Sequence, residues 1–223
     1  ASSRRHPETA MTGRSLAGRI AWRASRAGIE IDASLATTLA VYLELVYRWN
    51  RRMNLTALAE DDSGLDRLVV EPLIAARQMP VEARSVVDIG SGGGSPGVPL
   101  KLAVRGLALR MVESRTRKAA FLRDVVRQLG LKDVVVETCR YKELLTRPEL
   151  HEATDVVTVR AVNVDRRALE GLQTLLRVGG LLFLFRSTGE DEVWGDLRQS
   201  LRWRGTYPLV KSLKSQLVVL EKT

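Results

Sequence analysis

The amino-acid sequence predicts an α/β fold: a doubly wound, mostly parallel sheet of seven strands that closes with an antiparallel C-terminal hairpin and follows a small helical cap. Three observations carry this. From Ala83 onward, short β-branched runs alternate with segments of helical periodicity, which calls for parallel strands linked by crossover helices. The last two runs are joined by a Lys-containing loop and read as a hairpin. Before Ala83 the apolar positions recur at helical spacing and no strand signal is present.

The elements follow in order. Residues 1–14 are polar and aperiodic, which predicts a mobile basic arm; Met11 is a candidate natural start, and the Arg- and Ser-rich character has a faint likeness to a transit peptide. Residues 15–82 form the expected cap. A helix runs from Ser15 to Gly28 with Arg19, Arg23 and Arg26 on one stripe, and a second spans Leu35–Asn50 behind N-cap candidates Asp32 and Ser34. Arg48, Arg51 and Arg52 gather at the C-terminal end of that helix, where cations suit the helix dipole. A loop at 60–64 and a helix at Leu65–Gln78, closed by Pro80, complete the cap.

Residues 83–223 form the expected sheet domain. Its strands are Ser85–Ile89, Leu107–Val112, Val134–Glu137, Asp155–Val159 and Leu181–Phe185, with the hairpin at Thr206–Val210 and Gln216–Leu220. Helices are expected near Pro96, over Thr116–Leu129, over Leu169–Leu176 with Gly179-Gly180 as stop, and over 189–202.

Charge narrows the partners. The 223 residues carry 35 Lys+Arg against 26 Asp+Glu, a net +9, which points to a polyanion and to nucleic acid before membrane. No apolar run approaches the ~18 residues that a membrane span requires. One cysteine (Cys139) and two histidines (His6 and His151) predict no disulfide framework and no metal site. The chain reads as cytoplasmic, with oligomeric state open and a monomer favoured.

The most informative segment is Val86-Val87-Asp88-Ile89-Gly90-Ser91-Gly92-Gly93-Gly94-Ser95-Pro96-Gly97, between a strand and a helix. At the carboxyl end of the first strand, open α/β sheets bind ligands. The dinucleotide fingerprint begun at Gly90 requires glycine at 95, where Ser95 stands. The register is instead Gly90-x-Gly92-x-Gly94, with Asp88 two residues ahead. A carboxylate there opposes a pyrophosphate and suits a cationic ligand. S-adenosylmethionine, with its ammonium and sulfonium, fits, and the segment follows the pattern typical of its methyltransferases. A Rossmann-like S-adenosylmethionine-dependent methyltransferase fold is the expectation. Glu113 ends the second strand 23 residues after Gly90, near the ~20-residue interval of a ribose-gripping acid. Ser91, Pro96 and Ser114 border these positions, and the adenine is expected by Arg140, Tyr141 and Lys142 after the third strand.

The acceptor is constrained by what is missing. The clamp usual for exocyclic amines is replaced by Val159-Arg160-Ala161-Val162, Cys139 lies on the cofactor side, and no carboxylate cluster suggests a metal-dependent O-methyltransferase. An acceptor that is already nucleophilic remains, and guanine N7 qualifies.

The motifs then resemble a known family. Tyr42-Leu43-Glu44-Leu45-Val46-Tyr47-Arg48-Trp49-Asn50 with Asn54-Leu55-Thr56, the glycine segment through Pro99-Leu100, Glu113-Ser114 with Lys118 and Phe121-Leu122, and Arg140 with Arg160-Ala161 are similar to the small-subunit ribosomal RNA guanine-N7 methyltransferases, the RsmG/GidB family. The resemblance runs from about residue 15 to the end. It implies methyl transfer from S-adenosylmethionine to N7 of a guanine in a loop of 16S rRNA, as free RNA or small ribosomal subunit. Arg160 and Arg140 are the expected catalytic residues, contacting guanine O6 or phosphate and also bordering the cofactor; a bidentate grip on O6 and N7 is excluded because N7 must attack. Arg19, Arg23, Arg26, Arg48, Arg51 and Arg52 are the expected RNA contacts. Departures from the family pattern fall at Leu68, Glu71-Pro72, Ser95, Lys142 and Ser215. Two other readings stay open: a methyltransferase on another RNA or small molecule, and an RNA-binding paralogue without catalysis. An NAD oxidoreductase is opposed by the glycine register and by Asp88.

Overall fold

The computed structural model describes residues 15–162, 165–189 and 200–223. The expected arm at 1–14 and most of the helix expected at 189–202 lie outside these residues.

The chain opens with α1 (Leu16–Arg26) and α2 (Ala33–Met53). Each starts where a side chain satisfies an orphan backbone donor: Ser15 Oγ accepts from Gly18 N–H at 3.0 Å and Asp32 Oδ1 from Leu35 N–H at 2.7 Å. Helix α2 ends at Asn54 in the left-handed region (φ 48°), a conformation that asparagine tolerates well. A third helical stretch follows as α3 (Asp62–Leu65), a π-turn (Asp66–Val70) and α4 (Glu71–Ala76). Pro72 explains the widened turn, since a proline has no N–H for the carbonyl four residues back.

The sheet holds β1 (Ser85–Ile89), β2 (Ala108–Val112), β3 (Val134–Glu137), β4 (Thr154–Arg160), β5 (Leu176–Ser187), β6 (Leu201–Pro208) and β7 (Ser215–Lys222). Their order is β3-β2-β1-β4-β5-β7-β6, parallel except where β7 pairs antiparallel with β5 and β6. Between the strands come α5 (Gly97–Ala103), α6 (Thr116–Gln128), α7 (Tyr141–Leu144) and α8 (Arg166–Leu172). One face of the sheet shares a core with the first helices, through Ile20, Leu39, Tyr42, Val86, Leu109 and Phe121. The other packs Val87, Val157 and Leu182 against Leu144, Leu169 and Leu172. Strand order reverses between β1 and β4, the topological position where such sheets bind ligands.

Two boundaries correct the sequence reading. Gly179-Gly180 does not stop a helix: α8 and a 3-10 turn end at Leu175, and β5 already runs through both glycines. Gly179 sits at φ 74°, and a Cβ on Gly180 would lie 2.9 Å from the Arg177 carbonyl and 3.1 Å from that of Asp155. These glycines serve the register shift between Thr154 and Val156. Strand β6 starts at Leu201, five residues before the expected Thr206, and carries its own shift between Trp203 and Gly205.

Candidate active site

The glycine loop leaves β1 at the sheet's carboxyl edge. Gly90, Gly92 and Gly94 have φ of 71°, 51° and 86°, left-handed values that L side chains rarely adopt, so this backbone path requires them. Gly90 N–H and Ser91 N–H both donate to the Val112 carbonyl (2.8 and 3.1 Å), fastening the loop to β2. From α2, the wholly buried Tyr42 hydroxyl donates to the Gly93 carbonyl at 2.7 Å. Burial, with the Asp88 charge nearby, pushes that hydroxyl's pKa far above its ordinary 10.0.

Two carboxylates flank the loop. Asp88 is fully buried; its Oδ1 accepts from Thr158 Oγ1 at 2.7 Å, while Oδ2 has no hydrogen-bond partner and lies against Gly97. Burial raises its pKa, only partly offset by the Thr158 and Ser91 hydroxyls. Glu113 bridges the loop to the start of α6, accepting from Gly92 N–H at 3.0 Å and Arg115 N–H at 2.8 Å. Each of its oxygens keeps a further lone pair for a hydroxyl donor. Pro96 is buried at the N-cap of α5 and Ser114 is exposed.

Arg140, Tyr141 and Lys142 begin α7 beyond β3. Arg140 donates its backbone N–H to Glu143 Oε1 at 3.0 Å, and the Arg140 and Lys142 side chains are exposed. Burial pushes the neighbouring Cys139 thiol up, the wrong direction for a nucleophile. Arg140 and Arg160 leave the sheet on β3 and β4, three strand positions apart, about 14 Å at the usual spacing. The structure therefore does not bring these two arginines together.

Arg160 is instead at the centre of a buried cluster. Its guanidinium donates to Glu71 Oε2 at 2.5 Å, to the Arg67 carbonyl and to Ser95 Oγ at 3.1 Å, and lies 4.4 Å from the centroid of the Phe185 ring. Desolvation lowers its pKa and the Glu71 charge opposes that. The backbone explains the acceptors. The π-turn bonds Glu71 N–H to the Asp66 carbonyl, which leaves the Arg67 carbonyl for Arg160. Pro72 cannot bond the Leu68 carbonyl, and Ser95 Oγ takes it at 2.8 Å. A cavity of about 360 Å³ opens beside the cluster, bounded by Glu71, Arg160, Val162, Phe185, Arg186 and Ser215 among others. Val162 also reaches the glycine loop: a Cβ on Gly90 would lie 2.5 Å from its Cγ2. The loop and the cavity are thus adjacent.

Comparison with known proteins decides the family. The model described as "GidB: rRNA small subunit methyltransferase G" matches residues 36–214. The ribosomal RNA small subunit methyltransferase G of Stenotrophomonas maltophilia (strain K279a) is 35% identical over 183 residues, covering 82% of this chain and 84% of that protein. That of Trichormus variabilis is 31% identical over 182 residues, covering 78% and 74%. The chain belongs to the GidB family. Among solved structures, an O-methyltransferase from Bacillus cereus in complex with SAH matches with a TM-score of 0.60 at 19% identity, covering 92% of this chain and 97% of that one. A mutant of MtNAS in complex with S-adenosylmethionine matches at 0.56 and 16% identity, covering 92% and 77%. The fold is that of Rossmann-like methyltransferases, and the cofactor of this GidB protein is S-adenosylmethionine. The residues present fit it: left-handed glycines that permit close approach, a buried Asp88 oxygen lacking a donor, and spare lone pairs on Glu113.

The family motif in α2 has a structural role in this GidB chain. Trp49 Nε1 donates to Asp124 at 2.9 Å, Asn50 Oδ1 accepts from Thr56 N–H at 2.9 Å, and Lys118 Nζ donates to the Leu55 carbonyl at 2.8 Å, which docks the segment on α6. The cap arginines divide. Arg19 pairs with Asp62 at 2.6 Å, Arg23 grips Asp66 through two 2.5 Å bonds, and Arg51 meets Glu60 at 3.2 Å. Arg26 lies over the Trp22 ring. Exposed Arg48 and Arg52 border a second cavity of about 660 Å³ with Trp49, Arg117 and Arg127. Sequence reasoning missed Glu71 as the Arg160 partner and the contribution of Arg117 and Phe185. Glu71 stands at a departure from the family pattern, as do Leu68, Ser95 and Ser215. All four come to one place, around Arg160 and its cavity. Among the described residues, no group of three or more His, Cys, Asp or Glu converges to hold a metal, and no helix is long and apolar enough to cross a membrane.

Proposed function

We propose that this GidB protein methylates N7 of a guanine in a loop of small-subunit ribosomal RNA, acting in the cytoplasm as a single chain. Bound S-adenosylmethionine would supply an activated methyl group on its sulfonium; transfer to the N7 lone pair would leave a neutral thioether and a positively charged base, with no proton to remove. The protein then supplies position and exclusion of water rather than acid–base chemistry. In this reading Asp88 pairs with the ammonium, Glu113 accepts from ribose hydroxyls, and Gly90, Ser91, Gly92, Gly94 and Pro96 shape the loop around the ligand. Ser114, Tyr141, Lys142 and Arg140 border the adenosine side.

One observation carries the choice of N7. Among the described residues, the cavity next to the loop is walled by arginines, serines and apolar groups, and the one carboxylate among them, Glu71, is ion-paired with Arg160 through Oε2. Among the described residues no unpaired side chain is poised there as a general base, and N7 requires none. Arg160 acts as a positioning residue in this account, and Arg140 as a contact for the cofactor or RNA backbone. RNA phosphates meet Arg48, Arg52 and Arg117 before the ion-paired Arg19, Arg23 and Arg51, because an arginine already paired gains little from a phosphate.

The test is incubation with methyl-labelled S-adenosylmethionine and either deproteinised 16S rRNA or intact small subunits, followed by chain cleavage at 7-methylguanosine. Label released at one guanine supports the reading. Label at another atom, or RNA binding without label, overturns it.

A further inference from the structure

Methyl transfer to N7 makes no use of Glu71, yet the fold buries it at the wall of the acceptor cavity. Its side chain is 2% exposed, Arg160 holds Oε2, and Oε1 has no hydrogen-bond partner. A buried carboxylate oxygen without a donor is costly unless a ligand supplies one. Arg160 gives Nη2 to Oε2 and Nη1 to the Arg67 carbonyl and Ser95 Oγ, with its plane on Phe185, and makes no bond to Oε1.

We propose that Glu71 reads the Watson–Crick edge of the acceptor guanine, with Oε1 taking a hydrogen of the N2 amino group and N1–H donating alongside. The proposal rests on the guanine-N7 reading above. It follows from donor chemistry: guanine presents two adjacent donors on that edge, whereas adenine and cytosine turn a ring-nitrogen lone pair toward the carboxylate and uracil offers a single N–H. An unpaired or splayed base exposes this edge to side chains. Reading it there leaves N7, on the opposite side of the purine, unoccupied. Glu71, Arg160 and Val162 line the same cavity and Val162 also meets Gly90, so a base held at Glu71 sits in the cavity that adjoins the cofactor loop. Arg160 positions the carboxylate through its bond to Oε2.

The experiment replaces the mapped guanosine by inosine, which lacks only the N2 amino group. The unaltered protein should favour guanosine over inosine about ten- to a hundredfold, in binding and in turnover, the size of a lost charged hydrogen bond. In Glu71→Gln that preference should shrink to about threefold or less, a change that a purely structural role would not produce because both RNAs meet the same variant. Glu71→Leu with Arg160→Met removes both charges together and should behave alike, guarding against a Glu71→Gln chain left unfolded by an unpaired Arg160. Equal handling of guanosine and inosine by the unaltered protein, or undiminished preference in a folded variant, overturns the role of Glu71 alone. No 7-methylguanosine from the unaltered protein overturns the underlying reading and this proposal with it.

Discussion

Removing the Tyr42 hydroxyl tests how the helical cap supports the cofactor loop. In Tyr42→Phe the bond to the Gly93 carbonyl is lost, while the ring stays packed beside Gly94. Gly93 is only half buried, so water can replace the donor, and the cost should stay at about 1 kcal/mol near pH 8. The pH dependence is more diagnostic. Tyr42 is wholly buried and its folded-state pKa lies well above the ordinary 10.0, mainly through burial. A raised pKa means that above pH 10 the folded chain keeps this proton and the unfolded chain releases it. Stability is therefore fully present below pH 10 and falls as pH rises beyond it, by about 1.4 kcal/mol for this residue between pH 8 and pH 11. Phenylalanine has no such loss. Urea unfolding at both values should show the variant less stable at pH 8 and level with, or slightly above, the unaltered protein at pH 11, at constant m. A gap that stays fixed or widens would refute the burial of an un-ionised Tyr42 against the loop.

Asp88→Asn should weaken S-adenosylmethionine binding about ten- to a hundredfold by calorimetry. Without cofactor its thermal stability at pH 7 should not fall, since burial raises the Asp88 pKa and its carboxyl therefore costs the folded state stability as pH rises above the ordinary carboxyl value. Arg23→Ala should cost about 2–3 kcal/mol in unfolding, because Asp66 is left buried without its partner. Arg48→Ala with Arg52→Ala should leave stability unchanged yet weaken RNA binding and flatten its salt slope by about one unit for each phosphate no longer neutralised.

The helix starts and the glycine loop were readable in the sequence because their signals are local. Helix starts are announced by Ser15 and Asp32, and the glycine loop needs its residues at fixed offsets within ten positions. The acceptor side depends on contacts far apart in the chain. Glu71 and Arg160 are 89 residues apart, and nothing near Glu71-Pro72 signals that a π-turn and a proline will free two carbonyls for Arg160 and Ser95. Glycine misled at 179–180, where two residues that usually punctuate instead relieve a close backbone approach inside β5. Arg19 and Arg23 formed a basic stripe on paper, but folding turns them onto Asp62 and Asp66 from a segment some forty residues on.

The central claim is that guanine N7 takes the methyl group, and replacing that one atom tests it most directly. Deproteinised small-subunit transcripts carrying 7-deazaguanosine at the mapped site should accept no methyl group from S-adenosylmethionine, while guanosine transcripts become methylated. Methylation of the 7-deaza transcript at that nucleotide would show that another atom is the acceptor.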